Sequence, residues 1–91
     1  MFNLDSHCVP NPEVVSTTLD TGETVLINLT TANYFSLNAT GTRIWALLGE
    51  GQSVAEVAAT LATEYDVAAP QVQQSVLTLV EALAAHQLVA A

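Results

Sequence analysis

The hydrophobic pattern of this chain changes its period once, near Asn38, and that change limits the possible folds more than any other feature. Before Asn38 the chain contains three short runs rich in branched and aromatic residues, which favour strands. These runs are Val14–Leu19, Thr24–Leu29 and Asn33–Leu37. The turn between the first two contains Gly22, which tolerates positive φ, and the segment Thr30–Asn33 forms a weaker turn into the third run. The first half therefore predicts an antiparallel three-stranded meander.

After Asn38 the apolar residues recur at helical spacing. Asn38 is a good N-cap for a first helix that Gly49 and Gly51 end. Ser53 and Glu56 form the sequence pattern of a capping box at the start of a second helix. Pro70 fits the first position of a third helix that is expected to run to about Ala85.

Three strands followed by three helices predict an α+β domain with a winged helix-turn-helix-like arrangement. With only 91 residues, the chain has room for one small core. Residues 1–12 contain Pro10 and Pro12 and show no periodicity, so we expect an extended or disordered N-terminal segment there. The domain itself is expected to occupy residues 13–91.

The charge of the chain excludes two classes of partner. Nine acidic residues stand against a single base, Arg43, and the formal net charge is −8. Nucleic acids and anionic membranes both require clusters of Lys or Arg, so neither is expected as a partner. No run approaches the roughly 20 apolar residues that span a bilayer, and the first dozen residues lack the pattern of a signal peptide. The predicted location is cytoplasmic.

No group of residues in the sequence predicts catalysis, a metal site or a cofactor. The only cysteine, Cys8, has His7 beside it, and His86 lies far away in sequence. A zinc site needs ligands held on ordered elements, and a cysteine nucleophile needs an oriented base. Neither requirement is met, so the chain is not expected to be an enzyme.

A strand edge and a helix flank together predict a peptide-binding site. The third predicted strand contains Tyr34, Phe35, Ser36 and Leu37, and none of these residues blocks an edge from pairing with another strand. The apolar arc of the third predicted helix is wider than one buried contact requires. We expect that helix to line a cleft beside the strand through Gln73, Leu77, Val80 and Ala84. Two alternatives remain. The third strand is interior to the sheet, or the apolar flank of the third helix is covered by the strands or by the Leu88-Val89 tail.

Several segments in order resemble the PqqD-like family. They are Asp20–Leu26, Tyr34–Asn38, Gly41–Leu48, Gly51–Val57, Leu61–Val67, Leu79–Leu83 and Leu88-Val89. Members of this family are recognition elements for the precursors of ribosomally synthesised and post-translationally modified peptides (RiPPs). The sequences of Tyr34–Asn38 and Ile44-Trp45 resemble those of the stand-alone members more closely, including members from lasso-peptide pathways.

The resemblance implies a non-catalytic protein that captures the leader of a precursor peptide. In the family the leader is an added strand along the third strand, against the third helix. The partners it implies are the leader peptide and a RiPP maturation enzyme, such as a leader peptidase or a radical enzyme. The alternative is a homodimeric structural or regulatory subunit that uses the same edge and groove for self-association.

Overall fold

The computed structural model describes residues 3–90, which form five strands and three helices. The elements in chain order are β1 (Val9–Pro10), β2 (Val14–Thr18), β3 (Thr24–Asn28), β4 (Tyr34–Leu37), α1 (Ala39–Gly49), α2 (Val54–Tyr65), α3 (Ala69–Ala85) and β5 (Val89–Ala90). The predicted α+β class, with three antiparallel strands before three helices, is confirmed. The first, second and third predicted strands are β2, β3 and β4.

The main sheet is a meander in the order β2-β3-β4, with both strand pairs antiparallel. Gly22 adopts a φ of 89° in the turn between β2 and β3, a conformation that glycine reaches without steric cost. Because β3 lies in the middle, β4 is an edge strand of this sheet. The alternative in which the third predicted strand is interior is therefore wrong.

Side-chain caps set the starts of the first two helices. The Asn38 side chain accepts a hydrogen bond from the Gly41 N–H at 2.8 Å. At the start of α2, Ser53 and Glu56 form the predicted capping box: the Glu56 carboxylate accepts from the Ser53 N–H at 2.8 Å, and the Ser53 hydroxyl accepts from the Glu56 N–H at 3.2 Å. The bond from the Ser53 N–H, and after it the nearby Ser53 hydroxyl, lower the pKa of the Glu56 carboxyl. Pro70 is the second residue of α3.

The core lies between the inner face of the main sheet and the three helices. Its fully buried side chains include Leu26 of β3, Leu48 of α1, Leu61 of α2 and Val80 of α3. Leu88, in the tail after α3, is also fully buried. Burial of this apolar surface is the main term that stabilises so small a fold.

The N-terminal segment packs on the body of the protein. Where the sequence predicted an extended or disordered segment over residues 1–12, the described part, residues 3–12, is held by hydrogen bonds. The Ser6 and Leu4 carbonyls accept from the first two N–H groups of α2, at 3.0 and 2.8 Å, and β1 pairs with β5 in a second small sheet. Cys8 is only 3% exposed within this segment. Residues 1 and 2 lie outside the described residues.

Candidate functional site

The open edge of β4 presents unpaired backbone groups at alternate residues. In an antiparallel pair, residues that exchange hydrogen bonds alternate with residues whose N–H and C=O point away from the partner. The Asn28 N–H donates to the Asn33 carbonyl at 2.8 Å, and the register then pairs Leu26 with Phe35 and Thr24 with Leu37 through hydrogen bonds. By this alternation the backbone groups of Tyr34 and Ser36 point to the open side, where a further strand can pair with them.

A groove runs beside this edge, between β4 and α3. Its widest section has a volume of about 680 Å³ and is lined by Phe35, Gln71, Gln74, Ser75, Thr78, Leu79 and Ala82. Toward the start of α1 it continues over Ser36, Leu37, Asn38, Thr40, Gly41 and Ile44. It ends in a smaller section between the helices, lined also by Leu61, Tyr65, Val67, Val72 and Val76. We call these sections together the β4–α3 groove.

The β4–α3 groove carries no charged side chain. Its lining consists of apolar residues together with hydroxyl and amide side chains, although the chain has nine acids. Ser75 lines all three sections, which makes it the midpoint of the groove. A lining of this kind favours apolar and uncharged guest side chains. A charged side chain there would lose hydration without gaining an ionic partner.

The start of α1 approaches the end of β4 closely. Gly41 is buried at this point, and a Cβ added there would lie 3.2 Å from Cδ2 of Leu37. A Cβ at this position would require the Leu37 side chain to shift by a few tenths of an ångström, in the section of groove that Leu37 lines.

Asparagine side chains hold the other end of the groove. Asn28 is 1% exposed and donates from Nδ2 to the Gln87 carbonyl at 2.7 Å, and Asn33 donates to the His86 carbonyl at 3.2 Å. The His86 ring packs edge-on against Phe35, with the ring centroids 5.3 Å apart. These contacts tie the loop after α3 to the turn between β3 and β4, so they set the spacing between the helix and the edge strand.

The structure brings the four β4 candidates together but divides their roles. Phe35 and Leu37 point inward, and both line the groove. Tyr34, 71% exposed, and Ser36 have their side chains on the opposite face of the sheet. Their backbone groups, rather than their side chains, are available at the edge.

The four candidates on α3 lie on a different flank from the one expected. Gln73, Leu77, Val80 and Ala84 line none of the three sections of the groove. Val80 is fully buried, and Leu77 and Ala84 pack against the core. The flank beside β4 carries Gln71, Gln74, Ser75, Thr78, Leu79 and Ala82 instead. The core takes up the apolar width of the arc on which these candidates were chosen, and their role in peptide binding stays a prediction.

A different signal in the sequence marks the groove flank. The only charged residue in α3 is Glu81, so the polar positions of a 17-residue helix are otherwise Gln, Ser and Thr. Solvent-facing helix positions usually carry charges. An uncharged polar flank therefore indicates a surface from which a ligand displaces water when it binds.

The acidic side chains, the histidines, Cys8 and Arg43 lie outside this groove. Burial raises the pKa of the Cys8 thiol, which keeps it protonated and unreactive. Arg43 and Glu64 join α1 to α2 through a bidentate pair, with Nη2 to Oε2 at 2.7 Å, and this pair lowers the pKa of Glu64. Within residues 3–90, no cluster of three His, Cys, Asp or Glu side chains is arranged to hold a metal ion. In the same range, no helix is long and apolar enough to cross a membrane.

Comparisons with known proteins agree with this geometry. Residues 23–89 match the family model described as Coenzyme PQQ synthesis protein D (PqqD). The solved structure of TbiB1 in complex with the TbiA(beta) leader peptide superposes with a TM-score of 0.81 and 39% identity, over 88% of this chain and 92% of that chain. Lasso peptide synthetase B1 complexed with the leader peptide gives a TM-score of 0.84 and 28% identity, over 94% and 100%. A search of curated proteins gives no match.

Proposed function

The chain belongs to the PqqD family, and from that premise we propose that it is a non-catalytic leader-peptide-binding protein of a lasso-peptide pathway. It captures the leader of a ribosomally synthesised precursor by β-strand addition and presents the precursor to a modifying or leader-cleaving enzyme. The observation that carries this proposal is the open edge of β4 beside an uncharged groove. Two solved structures of the same fold are leader-peptide complexes, which supports leader binding here.

The leader contributes its backbone to the edge and alternate side chains to the groove. Hydrogen bonds to Tyr34 and Ser36 give affinity that does not depend on the leader's side chains. Every second leader side chain then points to the same side of the sheet as Phe35 and Leu37, into the β4–α3 groove. Selectivity for the precursor arises there, because the lining accepts apolar and uncharged groups.

Binding is the whole of the protein's contribution. A precursor held on this surface has a raised effective concentration at the enzyme to which the protein docks. The partners are thus the leader and a RiPP maturation enzyme, a leader peptidase, radical enzyme or similar, and the site of action is the cytoplasm, where the ribosomal precursor is made. No described feature of residues 3–90 favours the alternative of a homodimeric subunit.

Replacing Ser36 with proline tests strand addition directly. The Ser36 N–H points away from β3, so the substitution removes the donor offered to a guest strand while sparing the bonds between β3 and β4. We expect the affinity for a synthetic lasso-precursor leader, the TbiA(beta) leader peptide, to fall by roughly ten-fold or more, measured by isothermal titration calorimetry.

Ser16→Pro is the matched control. Ser16 lies in β2, the opposite edge strand, between residues that bond to β3, so its N–H also points outward. The two variants are expected to lose similar amounts of stability, while S16P binds the leader like the wild type. If S36P and S16P bind equally well, strand addition at β4 is wrong.

A further inference from the structure

The outer face of the main sheet is an exposed apolar surface outside the leader groove. Among the described residues, eight large apolar side chains are exposed, and five of them lie on this one face. They are Val15, Leu19, Ile27, Leu29 and Tyr34. Exposed apolar side chains gathered on one face of a small protein indicate a contact surface, whereas scattered ones do not.

The register of the sheet joins these residues into a continuous surface. Val15 stands opposite Ile27, and Ile27 stands opposite Tyr34, so the three side chains form a row across all three strands. They are 46%, 39% and 71% exposed, so no described element covers them. Leu19 and Leu29 follow β2 and β3 in the same alternation, so they lie on the same face, at opposite ends of the strand direction.

The charges around this face have one sign. Glu13 and Glu23 immediately precede β2 and β3, in phase with the outward-facing residues, and Asp20 lies in the turn between these strands. The single base of the chain, Arg43, is paired with Glu64 between α1 and α2. The face is therefore apolar at its centre and acidic at its margin, and a complementary surface is apolar with Lys or Arg around it.

We propose that this outer face docks the maturation enzyme, through an apolar patch of the enzyme that basic side chains surround. A second copy of this chain fits poorly, because it would bring carboxylates against carboxylates with no cation to offset them. The inference rests on the proposed function, since it assigns a place on the molecule to the enzyme that receives the precursor.

The outer face is continuous with the leader site through β4. Tyr34 and Ser36 offer their backbone groups to the leader and their side chains to the outer face. A leader strand added to β4 widens the sheet, and every second leader side chain joins the same outer surface as Tyr34. The enzyme consequently contacts protein and leader together, which couples capture of the precursor to its delivery.

A double variant, Val15→Thr with Ile27→Thr, tests the apolar centre of the face. Threonine keeps the branched shape that suits a strand, so the fold is expected to remain, as checked by circular dichroism. The probe is the purified leader peptidase of a lasso-peptide pathway whose precursor leader the wild type binds, and its binding is measured by biolayer interferometry. We expect its affinity to fall roughly ten-fold or more, while leader affinity stays within about two-fold. Val9→Thr, at an exposed valine outside this face, is the control and should bind the enzyme normally.

A second pair of variants tests the acidic residues at the border of the outer face by charge reversal. Glu13→Lys should weaken enzyme binding, more strongly at low salt, whereas Glu81→Lys on α3 should not. The docking proposal is overturned if the enzyme does not bind the wild type, if the double threonine variant binds it as the wild type does, or if the two charge reversals act alike. Leader titration of the wild type is read separately: failure there refutes the proposed function, whatever the enzyme data show.

Discussion

At the scale of single residues, the Asn28 side chain joins two loops of the protein, which its position in the sequence does not predict. It stands in the middle strand, where an apolar side chain would be expected, yet it is 1% exposed. Its Oδ1 accepts from the Thr30 and Thr31 N–H groups at 2.9 and 3.2 Å, while its Nδ2 reaches the Gln87 carbonyl. One side chain thus holds both the turn before β4 and the loop after α3. Only the three-dimensional structure reveals this, because the partners are 59 residues apart along the chain.

Asn28→Ala should lower the free energy of unfolding by about 2 kcal/mol, because three part-buried hydrogen bonds are lost. It should also weaken leader binding, since the spacing of β4 and α3 is no longer held. Urea unfolding and calorimetry measure the two effects. Asn11 donates to the same Gln87 carbonyl from a more exposed position, so Asn11→Ala is the control, with an expected loss below about 1 kcal/mol. Equal losses in the two variants would contradict this role for Asn28.

At the scale of elements, α3 separates what local patterns can predict from what they cannot. The bounds of β2, β3, β4 and the helices follow from periodicity, caps and turn residues, all of which are short-range, and they agree with the structure to within about two residues. The flank of α3 that lines the groove depends instead on how the helix rotates over the sheet. The core decides that rotation: Val76, Val80 and Leu83 are all fully buried, and this leaves Leu79, rather than Leu77, facing β4.

Leu79→Ala and Leu77→Ala distinguish these two flanks. Both leucines are partly buried on α3 and pack against the core, so each truncation should lower stability by roughly 1–2 kcal/mol. Leu79 also lines the groove, so L79A should weaken leader binding roughly ten-fold, whereas L77A should leave it nearly unchanged. Calorimetry at a temperature where both variants are folded gives the comparison. A larger binding loss in L77A would return the site to the flank expected from the sequence.

At the scale of the whole molecule, pH acts through two carboxylates with lowered pKa values. The capping box lowers the pKa of Glu56 and Arg43 lowers that of Glu64, both from a usual value of 4.5. Their stabilisation is therefore fully present above pH 4.5 and is lost as the pH falls toward their folded-state pKa values. Urea unfolding at pH 7 and pH 3.5 should show this loss. A Glu56→Gln, Glu64→Gln double variant should show a smaller difference between the two pH values than the wild type does.

The net charge of −8 governs encounters with partners. A leader that carries Lys or Arg beside its docking segment should associate faster at low ionic strength, because the field of the whole protein attracts it. Since the groove itself is uncharged, added salt should change the association rate more than the dissociation rate. Stopped-flow measurements at 20 and 200 mM salt test this, with a leader whose flanking bases are replaced by glutamine as the control. Equal salt sensitivity of both leaders would refute it.

The two unpaired margins of the main sheet also bear on solubility. The β2 margin of one molecule and the β4 margin of another can pair, and repetition of that contact would build a growing ribbon. Mutual repulsion of like-charged molecules opposes such growth, and it vanishes near the sequence isoelectric point of about 4.1. A bound leader blocks the β4 margin, so leader binding should also prevent this self-association.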